Sequence, residues 1–227
     1  MLRESKKSRQ QRVASIIKRL EKVYPDAHCE LNFKTPLQLL IATILSAQCT
    51  DKQVNLVTTT LFDRYRTASD FAKAPLSELQ SSIRRIGLFR AKAKNIKACC
   101  KRLVEHYEGE VPRTMDALTS LAGVGRKTAN VVLGNAFGIN AGVVVDTHVS
   151  RLSQRFHFTE ATTPDKIEQD LKTLAPQNQW AMLSHWMIWH GRRRCHARKP
   201  DCHQCEVRSL CPAKNLQKVA KKPQEQP

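Results

Sequence analysis

Apolar residues in this chain return at three- and four-residue intervals almost from end to end, and that period admits little besides helices. Val13, Ile16, Ile17, Leu20 and Val23 make one stripe, closed by Pro25. Pro36 opens a second over Leu37, Leu40, Ile41, Ile44 and Leu45, and Thr50 or Asp51 caps a third carrying Val54, Val57 and Leu61. Pro75-Leu76-Ser77 starts another through Leu79, Ile83 and Ile86, which Gly87 stops. Residues 89–107 carry Ile96, Cys100, Leu103 and Tyr107 before Gly109. Thr114 caps a short helix with Leu118 and Leu121. A glycine turn follows, then a helix through Val132 and Ala136 to Gly138. Asp146 stands where an N-cap belongs before Val149, Leu152 and Phe156, and Thr163-Pro164 pairs a cap with proline at the first helical position. Trp180, Leu183, Trp186, Met187 and His190 form the last strong helix. Strand-like alternation is almost absent; Val143-Val144-Val145 is its best candidate and is very short. The expectation is an all-α protein of about ten helices without internal repeats. Residues 214–227, rich in Lys, Gln and Pro, are expected to be a disordered tail.

A chain of 227 residues can hold one large domain or two modest ones with apolar cores, and 41% hydrophobic residues excludes a disordered protein. Its charge is lopsided: 38 Lys+Arg against 20 Asp+Glu, a net +18. Such an excess points to a polyanion, nucleic acid first, because cations that neutralise phosphates release condensed counterions. Charge kept only for solubility and an anionic membrane surface are the alternatives. No apolar run is long enough to span a bilayer. Met1 to Arg12 is basic and polar with no apolar core behind it, unlike a secretory signal. The expected place is the cytoplasm, where thiols stay reduced.

Eight cysteines in a reducing compartment need an explanation other than disulfides. Cys29, Cys49, Cys99 and Cys100 lie in apolar helical stretches and read as small hydrophobes. Cys195, Cys202, Cys205 and Cys211 are clustered as C-x6-C-x2-C-x5-C, which points to a shared metal. Spacing alone leaves a four-cysteine zinc site and a [4Fe–4S] cluster equally open. Between the first two lies His196-Ala197-Arg198-Lys199-Pro200-Asp201, and Arg192, Arg193 and Arg194 precede it. Five cations in the eight residues 192–199 make a metal-pinned loop suited to phosphate contact.

The segment Leu121-Ala122-Gly123-Val124-Gly125-Arg126-Lys127-Thr128 joins two helical patterns. Its glycines permit positive φ and a close backbone approach, and the unpaired N–H groups opening the next helix make an anion site. An ordinary helix-to-helix turn is the plainer reading; Arg126 and Lys127 directly after it favour phosphate. Lys127 falls in the first turn of its helix, where the macrodipole disfavours a second positive charge and tends to lower an amine's pKa. Partial burial would lower it further and favour an amine nucleophile. A solvated lysine touching phosphate is the commoner case. Nineteen positions on, Asp146 in Val145-Asp146-Thr147-His148 stays ionised as an N-cap and could stabilise positive charge developing on a sugar. A plain cap is the alternative. His148 could contact phosphate or satisfy the turn.

Taken together, these residues resemble the endonuclease III family. Leu121 to Asn130 is similar to its helix–hairpin–helix, Val145 to His148 to its catalytic aspartate motif, and the cysteine spacing to its [4Fe–4S] loop. Leu45-Ser46-Ala47-Gln48-Cys49-Thr50-Asp51 and Ile86-Gly87-Leu88 match two further segments. The resemblance runs from roughly residue 10 to 213, in order. It implies two helical domains with the active cleft between them: a six-helix barrel over 29–139, and a cluster domain from 1–28 and 140–213. It also implies a monomeric DNA glycosylase and AP lyase of base excision repair. Such an enzyme removes oxidised pyrimidines from double-stranded DNA and nicks abasic sites by β-elimination.

The same resemblance assigns roles. Lys127 would be the Schiff-base nucleophile and Asp146 the catalytic carboxylate. Gly123, Val124, Gly125 and Arg126 would grip the phosphate backbone. Gln48 would fill the space left by the extruded nucleotide, and Leu88 would wedge into the opposite strand. His148, Arg192, Arg198 and Lys199 are further expected DNA contacts. Cys195, Cys202, Cys205 and Cys211 would hold the [4Fe–4S] cluster. One departure is Ala122, where the family usually has proline, which removes some rigidity from the turn. Cys49 also varies a position that is usually small. Rival readings are a sister glycosylase for mismatched bases, which typically lacks the nucleophilic lysine, and a non-enzymatic DNA-binding module.

Overall fold

The apolar stripes become eleven α-helices and two short 3-10 turns among the described residues, 4–213, of a computed structural model. In chain order the helices are α1 (Lys6–Val23), α2 (Pro36–Ser46), α3 (Asp51–Arg64), α4 (Ala68–Lys73), α5 (Leu76–Ser82) and α6 (Phe89–His106). They continue with α7 (Met115–Thr119), α8 (Arg126–Phe137), α9 (Thr147–Arg155), α10 (Pro164–Leu174) and α11 (Trp180–Arg193). No strand occurs among the described residues. The tail expected at 214–227 lies outside them.

The helices sort into two units: one from Cys29–Ala141, the other from the described residues of Met1–His28 and Gly142–Pro227. In the first unit α2 is the central rod. Thr35 caps it by accepting from the Gln38 backbone N–H (3.2 Å), and Pro36 sits at its first position. Every residue from Leu39 to Leu45 is buried, so the helix is apolar all round and packs on α3, α6 and α8. Each fully buried Leu or Ile there stabilises by about 1.5–3 kcal/mol. Helix α6 lies against α4 and α5, and α7 against α8. In the second unit α1 packs on α10 and α11, and α9 on the same two helices, around Ile16, Leu20, Leu152, Phe156, Leu171 and Met187.

Four local details go beyond the sequence pattern or depart from it. Val143-Val144-Val145 is buried but forms no strand; instead the Val144 N–H donates to Ser184 Oγ in α11 (2.8 Å). The helix opened by Pro75 stops at Ser82, so Ile83 and Ile86 reach the core from the turn that follows. Thr163 makes no side-chain bond to the N-terminus of α10. Helix α4 has no counterpart in the apolar periodicity: it is six residues long and is held by a Thr67–Asp70 capping box.

Candidate functional site

The hairpin is α7, the turn Ser120–Gly125 and α8. Leu118, Leu121 and Val124 are buried and anchor the turn, so Val124 can meet a ligand only through its backbone. Gly123 is required twice over. Its φ is +77°, and an added Cβ would stand 2.9 Å from Asn95 Cβ of α6. Gly125 is different. Its φ is −93° and an added Cβ would meet nothing of the chain within 4 Å. As N-cap of α8 it supplies no side-chain bond to the first-turn N–H groups, at the positive end of the helix. Arg126 and Lys127 occupy the first two helical positions. Arg126 is half-buried; Lys127 is exposed, so the partial burial considered for it is not present.

Two further expected contacts sit on neighbouring turns. Gln48 follows α2 and Leu88 precedes α6; both are exposed, Leu88 to 60%. Each holds a left-handed backbone, φ +54° and +59°, although neither is glycine. The position of a Cβ on Gly87 lies 3.8 Å from the Gln48 carbonyl oxygen, so the turns are adjacent. Lys92 bridges them from beneath. It is 4% exposed and its Nζ donates to the carbonyls of Leu45 (2.9 Å) and Ala47 (2.6 Å). Burial lowers the Lys92 pKa from its ordinary value. No motif marks this residue in the sequence; a lysine in a basic helix reads as solvated.

Asp146 caps α9. Its Oδ1 accepts from the backbone N–H groups of His148 and Val149, both at 2.8 Å. His148 is half-buried, its ring within 3.2 Å of Arg151 Nη2, and a Cβ on Gly191 would clash with it at 2.9 Å. Burial lowers the His148 pKa from its ordinary value, opposed by the Asp146 charge beside it.

At the far end of α9 the cysteines gather. Cys195, Cys202, Cys205 and Cys211 line one pocket, together with Arg155, His190 and Arg194 among others. Arg155 Nη1 lies 3.1 Å from Cys195 Sγ and 2.8 Å from the His196 carbonyl; its Nη2 donates to the Ala197 carbonyl (2.8 Å). Arg151 donates to the Cys195 carbonyl (2.9 Å), and Arg194 pairs with Asp201 and Glu206. The loop between the first two cysteines is thereby fixed, with Arg198 and Lys199 exposed on it. Arg194 is engaged inside this frame, and Arg193 stacks on Trp189 of its own helix α11 at 3.6 Å. Burial pushes the Cys205 thiol up to about 11 and those of Cys202 and Cys211 in the same direction. Binding a metal there therefore means displacing protons. Four thiols lining one pocket are an all-sulfur donor set, which suits an iron–sulfur cluster and also a structural zinc ion.

An all-helical chain with a glycine hairpin, a capped aspartate and a four-thiol cavity defines the helix–hairpin–helix class of DNA repair protein. Residues 41–177 match the model of the HhH-GPD superfamily of base excision DNA repair proteins. Endonuclease III of Synechocystis sp. is 53% identical over 206 residues, 91% of this chain and 94% of that one. That of Escherichia coli strain K12 is 41% identical over 86% of this chain and 92% of its own. The chain belongs to the endonuclease III family. A solved non-covalent endonuclease III–DNA complex superposes with a TM-score of 0.88 at 45% identity, over 92% of this chain and 98% of that one. No described helix is long and apolar enough to cross a membrane.

Proposed function

We propose that this chain is a bifunctional DNA glycosylase and AP lyase that removes oxidised pyrimidines from duplex DNA and nicks the strand 3′ to the abasic site. The observation that carries the reading is the glycine-headed start of α8. It offers an unobstructed anion site at Gly125 and, two positions on, an exposed primary amine on Lys127. One helix start thus combines a grip for the sugar–phosphate chain with a nucleophile for the sugar.

The damaged nucleotide leaves the stack, because C1′ is out of reach within it, and a weakly stacked lesion costs less to extrude. The Lys127 amine attacks C1′ as the glycosidic bond breaks, and the base departs with its electron pair and a proton. The Asp146 carboxylate stabilises the positive charge that grows on the sugar. Ring opening leaves an imine between Lys127 and C1′. Loss of a proton from C2′ then expels the 3′ phosphate by β-elimination. The backbone of Gly123 to Gly125 and the Arg126 side chain hold the phosphates. Gln48 and Leu88 occupy the space vacated in the duplex. His148, Arg192, Arg198 and Lys199 add contacts along the backbone. Such work belongs where the DNA is, the cytoplasm in a bacterium.

Cys195, Cys202, Cys205 and Cys211 would hold a [4Fe–4S] cluster, which when bound pins the 195–211 loop and so presents Arg198 and Lys199. Metal analysis of purified protein tests this part: about four irons per chain with broad visible absorbance are expected, and zinc in their place contradicts it. The enzyme assignment is tested by borohydride reduction on abasic duplex. Wild type forms a covalent adduct and Lys127→Ala does not. A folded wild type that binds but never cross-links contradicts the lyase assignment, and base release then separates a sister glycosylase from a DNA-binding module.

A further inference from the structure

Helix α6 carries Leu88 at its N-cap, then Lys92 and Asn95 on the same face at intervals of four and three residues. Each reaches a different element. Leu88 is the exposed wedge, Lys92 ties down the end of α2, and Asn95 backs Gly123 of the hairpin. The Leu45 and Ala47 carbonyls that Lys92 holds belong to the last turn and C-cap of α2, where helix acceptors otherwise lack partners and the dipole favours a cation. Gln48 follows directly. Its positive φ and that of Leu88 are unfavourable for residues with a side chain, and such conformations persist only where the surroundings impose them. Of the four non-glycine positive-φ positions among the described residues, Gln48, Glu108 and His157 each stand two residues past a helix end, and Leu88 stands at the start of one.

We propose that Lys92 is a positioning residue that locks the Gln48 and Leu88 turns into one preset duplex-opening unit, an inference that rests on the glycosylase reading above. Helix α6 contains its own control. Lys97 Nζ donates to the carbonyls of Ala72 and Ala74 (2.6 Å each) at the end of α4, the same capping arrangement with no expected DNA contact beside it. Lys92 acts before chemistry: with both turns fixed, each inserts in register as the nucleotide leaves. Without it each turn must be ordered during the event.

The test compares Lys92→Met with Lys97→Met in single-turnover excision of an oxidised pyrimidine paired in duplex, and in nicking of a ready-made abasic site. Lys92→Met lowers excision roughly ten- to a hundredfold, since small misplacements of positioning groups are that costly. It lowers nicking much less, because no base pair has to be opened there. Lys97→Met changes the two reactions in parallel or neither. Hydrogen exchange quickens at both 46–50 and 87–90 in Lys92→Met. Equal loss of both reactions in Lys92→Met, or quickened exchange at one turn alone, overturns the inference. A double-mutant cycle of the exposed residues in the wild-type background covers a Lys92 variant that does not fold. Gln48→Ala with Leu88→Ala should be no worse than the poorer single, and additive losses refute coupling. If wild type excises no lesion, it is the glycosylase reading that fails; if wild type excises and Lys92→Met matches it, only the positioning role fails.

Discussion

Arg155, in the last turn of α9, sets its guanidinium 3.1 Å from the sulfur of Cys195, while the first turn of the same helix is capped by Asp146. A helix of nine residues therefore ties the expected catalytic carboxylate to the thiol loop through one rigid element.

Arg155→Ala removes four bonds to that loop, at Cys195 Sγ and at the carbonyls of Cys195, His196 and Ala197. Charge-assisted bonds of this kind contribute about 1.5–3 kcal/mol each where they are sheltered. The variant should lose iron on dilution or mild oxidation faster than wild type. Arg155→Lys should not rescue it, since an ammonium cannot fork to all four acceptors. Unchanged iron retention in both variants would show that the cysteines hold the loop unaided.

The two hairpin glycines should separate stability from binding. Gly123→Ala forces a side chain onto a φ of +77° and into Asn95, and should lower stability by about 1–3 kcal/mol. Gly125→Ala has room and an ordinary φ, so its cost stays below about 1 kcal/mol. Its methyl stands where a phosphate is expected, so it should weaken binding to undamaged duplex. Thermal melts and salt-dependent DNA titrations check the pair. Equal melting losses for both would contradict the geometry.

These contrasts mark how far the sequence could be read. Helices announced by long apolar stripes, such as α2 and α6, and the cap at Asp146 are local properties and were legible. The thiol cluster was legible too, because its four members are close in sequence. Helix α4 was not, since six residues leave no room for a stripe. Nor was the unpaired state of Val143–Val145, which depends on a distant hydroxyl at Ser184 rather than on the valines. Nothing in Gln48 or Leu88 as residue types signals a left-handed backbone. Nothing in Lys92, one of many lysines, signals burial under two carbonyls; both are consequences of packing.

A pH effect follows from α11. His185 has its pKa pushed down to about 4, by burial first and by the His28 charge second. In the unfolded chain the ring titrates near about 6.5, so between those values the unfolded state binds more protons. The stability this ring contributes is full above about 6.5 and is lost as the pH falls towards 4. His185→Phe should flatten that stretch of the curve of Tm against pH relative to wild type. Parallel curves for the two proteins would remove His185 as the source.

The most direct measurement identifies the amine itself. Wild-type protein is reduced with borohydride while turning over an abasic duplex, digested with protease and nuclease, and the cross-linked peptide is sequenced by mass spectrometry. The adduct should sit on Lys127. An adduct on any other amine, the N-terminus or Lys92 included, would contradict the account.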